Sequence, residues 1–498
     1  MNAVDMKSGE VAKCPGCEPV WEAMTHSDAS TACAVLKEAQ RRWAAKPLSE
    51  RLRVLRAARH TLAERAGELA DAISPQLARN RTDTLLAEVL PLLEACKFLE
   101  REAPKVLKTR RLGLRGRPLW LRGVWAEAHR EPLGHVLVIA PANFPLLLAG
   151  AQTLQALAAG NSVTWKPGNG GGKAAELMAA ILLEAGLPWG LLRVTGESVE
   201  AGMGAVRDGA DKVVFTGSPA GGRAVLRELA ETQTPAVMEL SGTDAVVVLP
   251  SADMQRVAKA VAFGLRLNGS AVCMAPRRVF ANAATMTALR PILQAELAKI
   301  PPVALNENVA RQLSALLDEA KGAGAEVLGQ FEPARQSPLM VEHADGSMEI
   351  TRTDMFAPIL ALIQTPSMMH VPELLAESPF GLSASIFGNE GEARAMAASL
   401  KAGSVLINDV IVPTVDPRVA FGGRGASGFG VTRGPEGLLE MTALKMVLVR
   451  RGASTRYLDP TSDEDATLFQ EAIIAMHGRT WRERAARTVS LLKAARKI

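Results

Sequence analysis

A single tyrosine stands among 498 residues, and aromatic side chains make up only 4% of the chain. No basic patch interleaved with rings exists, so a net charge of +5 gives no footprint for nucleic acid. The five cysteines are odd in number and scattered, which excludes a disulfide framework and suits a reducing compartment. The opening MNAVDMKSGE lacks the basic and apolar run of a secretory signal, and it predicts a cytoplasmic protein. Residues 132–165 lack Asp, Glu, Lys and Arg altogether and are long enough to span a bilayer. Pro141, Asn143, Pro145 and the Gly160-Asn161 pair inside that stretch predict instead a strand, a loop, a buried helix and a second strand.

A chain of this length is too long for one hydrophobic core. Its 48% hydrophobic fraction and its alternating helical and strand periods predict a soluble α/β protein. The first two dozen residues read as a disordered tail, and Cys14 and Cys17 in a lone CxxC are a weak redox or metal signal. Residues 28–107 read as a helical layer, and 110–131 as a long hairpin arm of the kind that joins subunits. Strands are expected at 136–140, 162–166, 191–195 and 212–216, with helices at 146–159 and 173–185 between them, and this alternation predicts a parallel sheet with ligands at the strands' carboxyl ends. A second α/β unit covers 240–420, with strands near 245–249, 278–281, 359–363 and 404–408, and the Gly-rich 421–437 follows. Past residue 451 the acidic TSDEDA should cap one helix ending at Met476, and a basic helix should run from Thr480 to the end.

Candidate chemistry gathers on four stretches. VAFGLRLNGSAVCMAPRRVF, 261–280, carries Cys273; GHVLVIAPANFPL, 134–146, offers an amide donor; KVVFTGSPAGG, 212–222, a phosphate-binding turn; and VMELSGTDAVVV, 237–248, a carboxylate. A lone cysteine on an apolar segment is ordinarily a small buried hydrophobe, and it is the company of the other three that singles this one out. No GxGxxG follows the first strand, so a dinucleotide site cannot rest on the usual fingerprint.

Taken in order, PANFP, the Lys166-Pro167 pair, FTGSxxxG, MEL followed by Ser-Gly, the cysteine stretch, DMFAP and AFGGRGASGFG resemble the aldehyde dehydrogenase superfamily over about residues 25–450. The resemblance implies an aldehyde dehydrogenase-like α/β fold. Its Rossmann-like cofactor domain would comprise 25–109 and 132–239, its catalytic domain 240–437, its oligomerisation arm 110–131 with 438–450, and a helical extension 451–498. It implies oxidation of an aldehyde to the acid with NAD or NADP, in a homodimer or homotetramer, with no metal called for.

In that reading Cys273 is the nucleophile, Asn143 and the Cys273 backbone N–H meet the oxyanion, and Glu239, desolvated on an apolar strand, is the general base. Gly217 and Ser218 would take the pyrophosphate at a helix start, and Gly222 would allow close approach one turn on. Ala140 and Ala142 would border the cofactor, Lys166 would hold the adenosine ribose, Asp354 the nicotinamide ribose, and Phe356 the nicotinamide. Asn169 stands where many members have a glutamate, which removes repulsion toward a 2′-phosphate and leaves both NAD and NADP open.

Ala142, Gln152 and Ala271 replace tryptophan, lysine and glutamine, and this points to a bulky or apolar aldehyde. No arginine can be assigned to grip a substrate carboxylate. Two other readings stay open: transfer of the acyl group to coenzyme A, which Glu239 disfavours, and a catalytically weak scaffold, which retention of Cys273, Asn143 and Glu239 disfavours. The basic last helix, with Trp481, Val489 and Leu492 among Arg482, Arg484, Arg487, Lys493, Arg496 and Lys497, either docks on protein or makes peripheral contact with an anionic membrane. In the membrane case, cutting after Arg451 should abolish co-sedimentation with anionic vesicles.

Overall fold

The computed structural model describes residues 29–73, 77, 79–118, 121, 123–452 and 458–495. The expected tail with Cys14 and Cys17, residues Leu119 and Trp120 of the arm, and Arg496 and Lys497 lie outside the described residues. The chain divides into two compact units, one of Met1–Arg110 with His129–Lys445 and one of Arg111–Ala128 with Met446–Ile498.

The uncharged stretch resolves as its punctuation predicts, into strand His135–Ile139, helix Leu147–Ala159 and strand Ser162–Lys166. Both strands are buried at every position, which is why they read as continuous apolar runs with little alternation. The helix is buried on nearly all sides, so it needs no polar face. Among the described residues no helix is long and apolar enough to cross a membrane.

The first sheet runs in the order Gly428–Phe429, Ala236–Leu240, Lys212–Gly217, His135–Ile139, Ser162–Lys166, Leu192–Val194. Its strands are parallel apart from Gly428–Phe429, which lies antiparallel on Ala236–Leu240. The strand order reverses between His135–Ile139 and Lys212–Gly217, and a crevice forms at the carboxyl ends of strands at such a point. The loops holding Asn143 and Ser218 leave from those two strands.

The second sheet has the order Glu326–Leu328, Leu339–Glu342, Ile359–Gln364, Pro276–Ala281, Asp244–Val248, Ser383–Phe387, Ser404–Ile407, and it is parallel except for Glu326–Leu328. Cys273 sits just before strand Pro276–Ala281. The site therefore draws on carboxyl ends in one sheet and an amino end in the other. Several features escape the sequence reading. Leu339–Glu342 and Ser383–Phe387 are fully buried strands, Glu326–Leu328 adds an edge strand, and the Gly-rich segment supplies a strand to the first sheet, where the Met238 carbonyl oxygen fills the place a side chain at Gly428 would need.

Strands Arg110–Leu112, Val124–Pro132 and Thr442–Arg450 form a three-stranded sheet in that order. Leu444, Met446 and Leu448 stand exposed on Thr442–Arg450, and residues two apart share one face of a strand. In the second unit, Asp463–His477 and Trp481–Ala495 form a helical hairpin. A capping box between Ser462 and Asp465 starts it, which confirms the role expected of the acidic turn.

Candidate active site

After helix Met254–Arg266 the chain takes three successive left-handed residues, Asn268 (φ 53°), Gly269 (φ 60°) and Ser270 (φ 71°). Glycine adopts this region freely, whereas a serine there is strained. Arg277 holds the turn in place: Nη1 donates to Ser270 Oγ at 2.7 Å and to the Ala357 carbonyl at 2.8 Å, and Nη2 donates to the Ser270 carbonyl at 2.6 Å. Cys273 follows at the mouth of this turn, half-buried.

Asn143 lies opposite. Its side-chain amide donates to the Ala271 carbonyl at 2.9 Å, its Oδ1 accepts the Phe144 N–H at 3.1 Å, and its own carbonyl accepts from the Asn268 amide at 2.8 Å. A carboxylate from a distant helical turn steadies this loop. Fully buried Glu88 pairs with Arg79, and its Oε2 accepts the Leu146 and Leu147 N–H groups, both at 2.8 Å. It thus satisfies two donors at the start of helix Leu147–Ala159, which lacks a side-chain cap of its own, and a negative charge is favourable there.

Glu239 stands on strand Ala236–Leu240, in register with Thr216 on one side and Gly428 on the other. Its Oε2 accepts from Thr216 Oγ1 at 3.3 Å and Thr432 Oγ1 at 3.2 Å, and Gln152 Nε2 donates to Thr216 Oγ1 at 3.3 Å. Oε1 has no partner among the described residues. Burial pushes the Glu239 carboxyl up, against the pull of Arg433 and the two hydroxyls.

Two cavities meet at these groups. One, of about 710 Å³, is walled mainly by apolar side chains such as Leu90, Leu147, Phe263 and Phe421. The other, of about 430 Å³, is lined by Ala142, Asn143, Gly217, Ser218, Asp354 and Phe356. Cys273 and Glu239 line both. Burial, together with the Glu239, Asp244 and Asp354 carboxylates, pushes the Cys273 thiol well above its ordinary range, and the Arg433 guanidinium opposes them.

The smaller cavity suits a nicotinamide dinucleotide in its donor and acceptor set. Asp354 Oδ1 is buried without a partner among the described residues, an acceptor available to a ribose hydroxyl. Ser218 is partly committed, because its hydroxyl caps helix Pro219–Thr232 by accepting the Gly221 N–H at 3.1 Å, and Pro219 has no N–H to give.

Four sequence-nominated residues are not on that lining. Ala140 is buried at the strand end, where its N–H donates to the Lys166 carbonyl at 2.9 Å. Gly222 is bare because Leu240 Cδ2 would lie 2.8 Å from a Cβ there, so its smallness serves packing of helix on strand. Lys166 ends its strand with its ammonium disfavoured by burial and favoured by Glu197, while Asn169 is exposed.

Glu197 was not nominated from sequence. Its carboxylate accepts the Gly170 N–H at 2.7 Å and the Gly172 N–H at 2.6 Å. The negative charge that Asn169 lacks is therefore supplied beside Lys166 from another loop. Arg433 was likewise missed. Its guanidinium is buried, lines the larger cavity, and lies 4.6 Å over the Phe421 ring. One arginine in a Gly-rich segment gives no periodic signal to find it by.

Comparison with known proteins identifies the family. A sequence model described as the aldehyde dehydrogenase family matches residues 19–447. The chain is 29% identical to the 4,4'-diapolycopene aldehyde oxidase of a Methylomonas species over 413 residues, covering 80% of this chain and 77% of that one. It is 30% identical to the benzaldehyde dehydrogenase [NAD(+)] of Pseudomonas putida over 474 residues, covering 89% and 91%. Among solved structures it resembles the NADP-dependent glyceraldehyde-3-phosphate dehydrogenase of Bacillus halodurans complexed with NADP, with a TM-score of 0.77, 27% identity, and coverage of 85% and 91%. With the family sequence matched over most of its length and the two-sheet architecture shared, this chain belongs to the aldehyde dehydrogenase family.

Proposed function

We propose that the substrate is a bulky, apolar aldehyde, and that Cys273 attacks it while Asn143 and Glu239 serve as oxyanion donor and general base. The chain is an NAD(P)-dependent aldehyde dehydrogenase, and the reading concerns how it works and on what. The observation that carries it is the junction of the two cavities, since Cys273 and Glu239 line an apolar chamber on one side and the cleft suited to the dinucleotide on the other.

When bound, the nicotinamide ring supplies the two-electron acceptor that oxidation of an aldehyde requires. The chain supplies the rest. The Cys273 sulfur adds to the carbonyl carbon, and the charge that moves onto oxygen is met by the Asn143 amide and the Cys273 backbone N–H. Once the acyl group rests on sulfur as a thioester, Glu239 takes a proton from water, hydroxide adds to the acyl carbon, and the thiolate leaves. A carboxylate at the junction favours water over coenzyme A as the acceptor.

The apolar wall supports the substrate reading; the relatives are divided, some named for 4,4'-diapolycopene aldehyde or benzaldehyde and others for succinate semialdehyde. Activity across aldehydes of increasing chain length and ring content, with both cofactors, is expected to favour long or aromatic members. A preference for small dicarboxylic semialdehydes would overturn it. The reading includes a homo-oligomer formed through the exposed face of Leu444, Met446 and Leu448, since an uncovered apolar edge strand invites pairing. Met446→Glu should shift sedimentation toward the monomer, and an unchanged profile would reject that interface.

A further inference from the structure

Arg433 is the only basic side chain among the described residues that line the larger cavity. The carboxylates at the mouth are taken elsewhere, Asp83 by Arg266 at 3.2 Å, Glu94 by Lys97 at 3.3 Å, and Asp416 by Arg418, and Glu239, in the same wall, is the carboxylate whose charge acts on Arg433. Among the described residues Arg433 itself has no ion pair. Nη1 donates to the Thr414 carbonyl at 2.6 Å, the Phe421 ring lies beneath the guanidinium, and Nε is buried without a partner. A buried charge with so little compensation costs several kcal/mol as a rule.

The backbone adds to that cost. Arg433 has φ 58° and ψ 176°, a region almost reserved for glycine. The paired Phe421 and Thr432 backbone bonds, at 2.7 and 2.8 Å, pin the residue before it. The fold therefore spends stability to hold one positive charge in the wall of the cavity that Cys273 also lines.

We propose that Arg433 is a positioning residue whose fixed charge sustains the thiolate of Cys273. This rests on the reading of Cys273 as nucleophile. The other ionisable groups that act on the sulfur are carboxyls, Glu239 from strand Ala236–Leu240, Asp244 from strand Asp244–Val248, and Asp354 from the turn ahead of Ile359–Gln364, each itself pushed up by burial. The other cation nearby, Arg277, is tied to Ser270 and Ala357 and acts on Asp354 and Asp244 ahead of Cys273. Arg433 is the cation that acts on the sulfur from the wall of the larger cavity.

The test is the pH dependence of Cys273 alkylation by iodoacetamide, read on the Cys273 peptide by mass spectrometry without aldehyde present. Arg433→Met is expected to move the midpoint upward by about one pH unit and to slow alkylation near neutral pH about tenfold. Arg433→Lys should restore most of the wild-type profile. If Arg433→Met does not fold, Arg433→Gln removes the charge while keeping a donor for Thr414. A charge-neutral variant whose profile overlays the wild type, or a lysine variant as impaired as the methionine one, overturns the proposal. Normal aldehyde oxidation by Cys273→Ala would instead sink the nucleophile reading, so the two failures are told apart.

Discussion

The side-chain amide of Asn143 donates to the carbonyl of Ala271 at 2.9 Å, joining the loop that leaves the first sheet to the turn that presents the thiol. One N–H of the amide is spent on this contact, and the proposed mechanism calls on the other to meet the oxyanion. Asn143→Ala should lower kcat by about 10²–10³, measured with saturating aldehyde and cofactor. Intact cofactor binding by fluorescence titration would show that the cleft survives, and an unchanged kcat would remove Asn143 from the oxyanion site.

Glu239 carries the next prediction. Burial raises its pKa and the Thr432 hydroxyl lowers it. The basic form is lost as pH falls through the raised value, so hydrolytic turnover should decline on the acid side above the ordinary carboxylate range. Thr432→Val removes a hydrogen bond to the charged form and should move that acid limb to still higher pH. A limb that stays put in the pH profile of kcat would separate Thr432 from the base.

Cofactor preference is expected to depend on Glu197 if Lys166 holds the adenosine ribose. The Glu197 carboxylate sits on the Gly170 and Gly172 amides and acts on the Lys166 charge, and a 2′-phosphate placed there would meet repulsion. Glu197→Gln is expected to lower KM for NADP by about threefold to tenfold while leaving KM for NAD nearly unchanged. Equal shifts for both cofactors would mean that Glu197 only braces its loop.

These two acidic residues also show where sequence stops being readable. The buried parallel strands at 135–139 and 162–166 announced themselves as apolar runs, the proline and asparagine pattern broke the uncharged stretch in the right places, and Ser462 began a helix as its neighbours implied. Cys273, Asn143 and Glu239 were nominated because each stands in a local motif. Glu88, Glu197 and Arg433 were not, because what matters about them is the partner they meet far along the chain. Glu88 reaches Leu146 across 58 residues, and nothing near it in sequence records the contact. Gly428–Phe429 was hidden for a different reason: glycine reads as loop, and only close approach to Met238 makes it a strand.

The most direct measurement is intact and peptide mass spectrometry of Glu239→Gln mixed with an aromatic aldehyde and NAD, quenched within the first turnovers. With the hydrolytic step slowed, the acyl group should accumulate as a thioester on the Cys273 peptide, alongside a burst of reduced cofactor. A burst with no adduct there, or an acyl group found on Cys96 instead, would contradict the account.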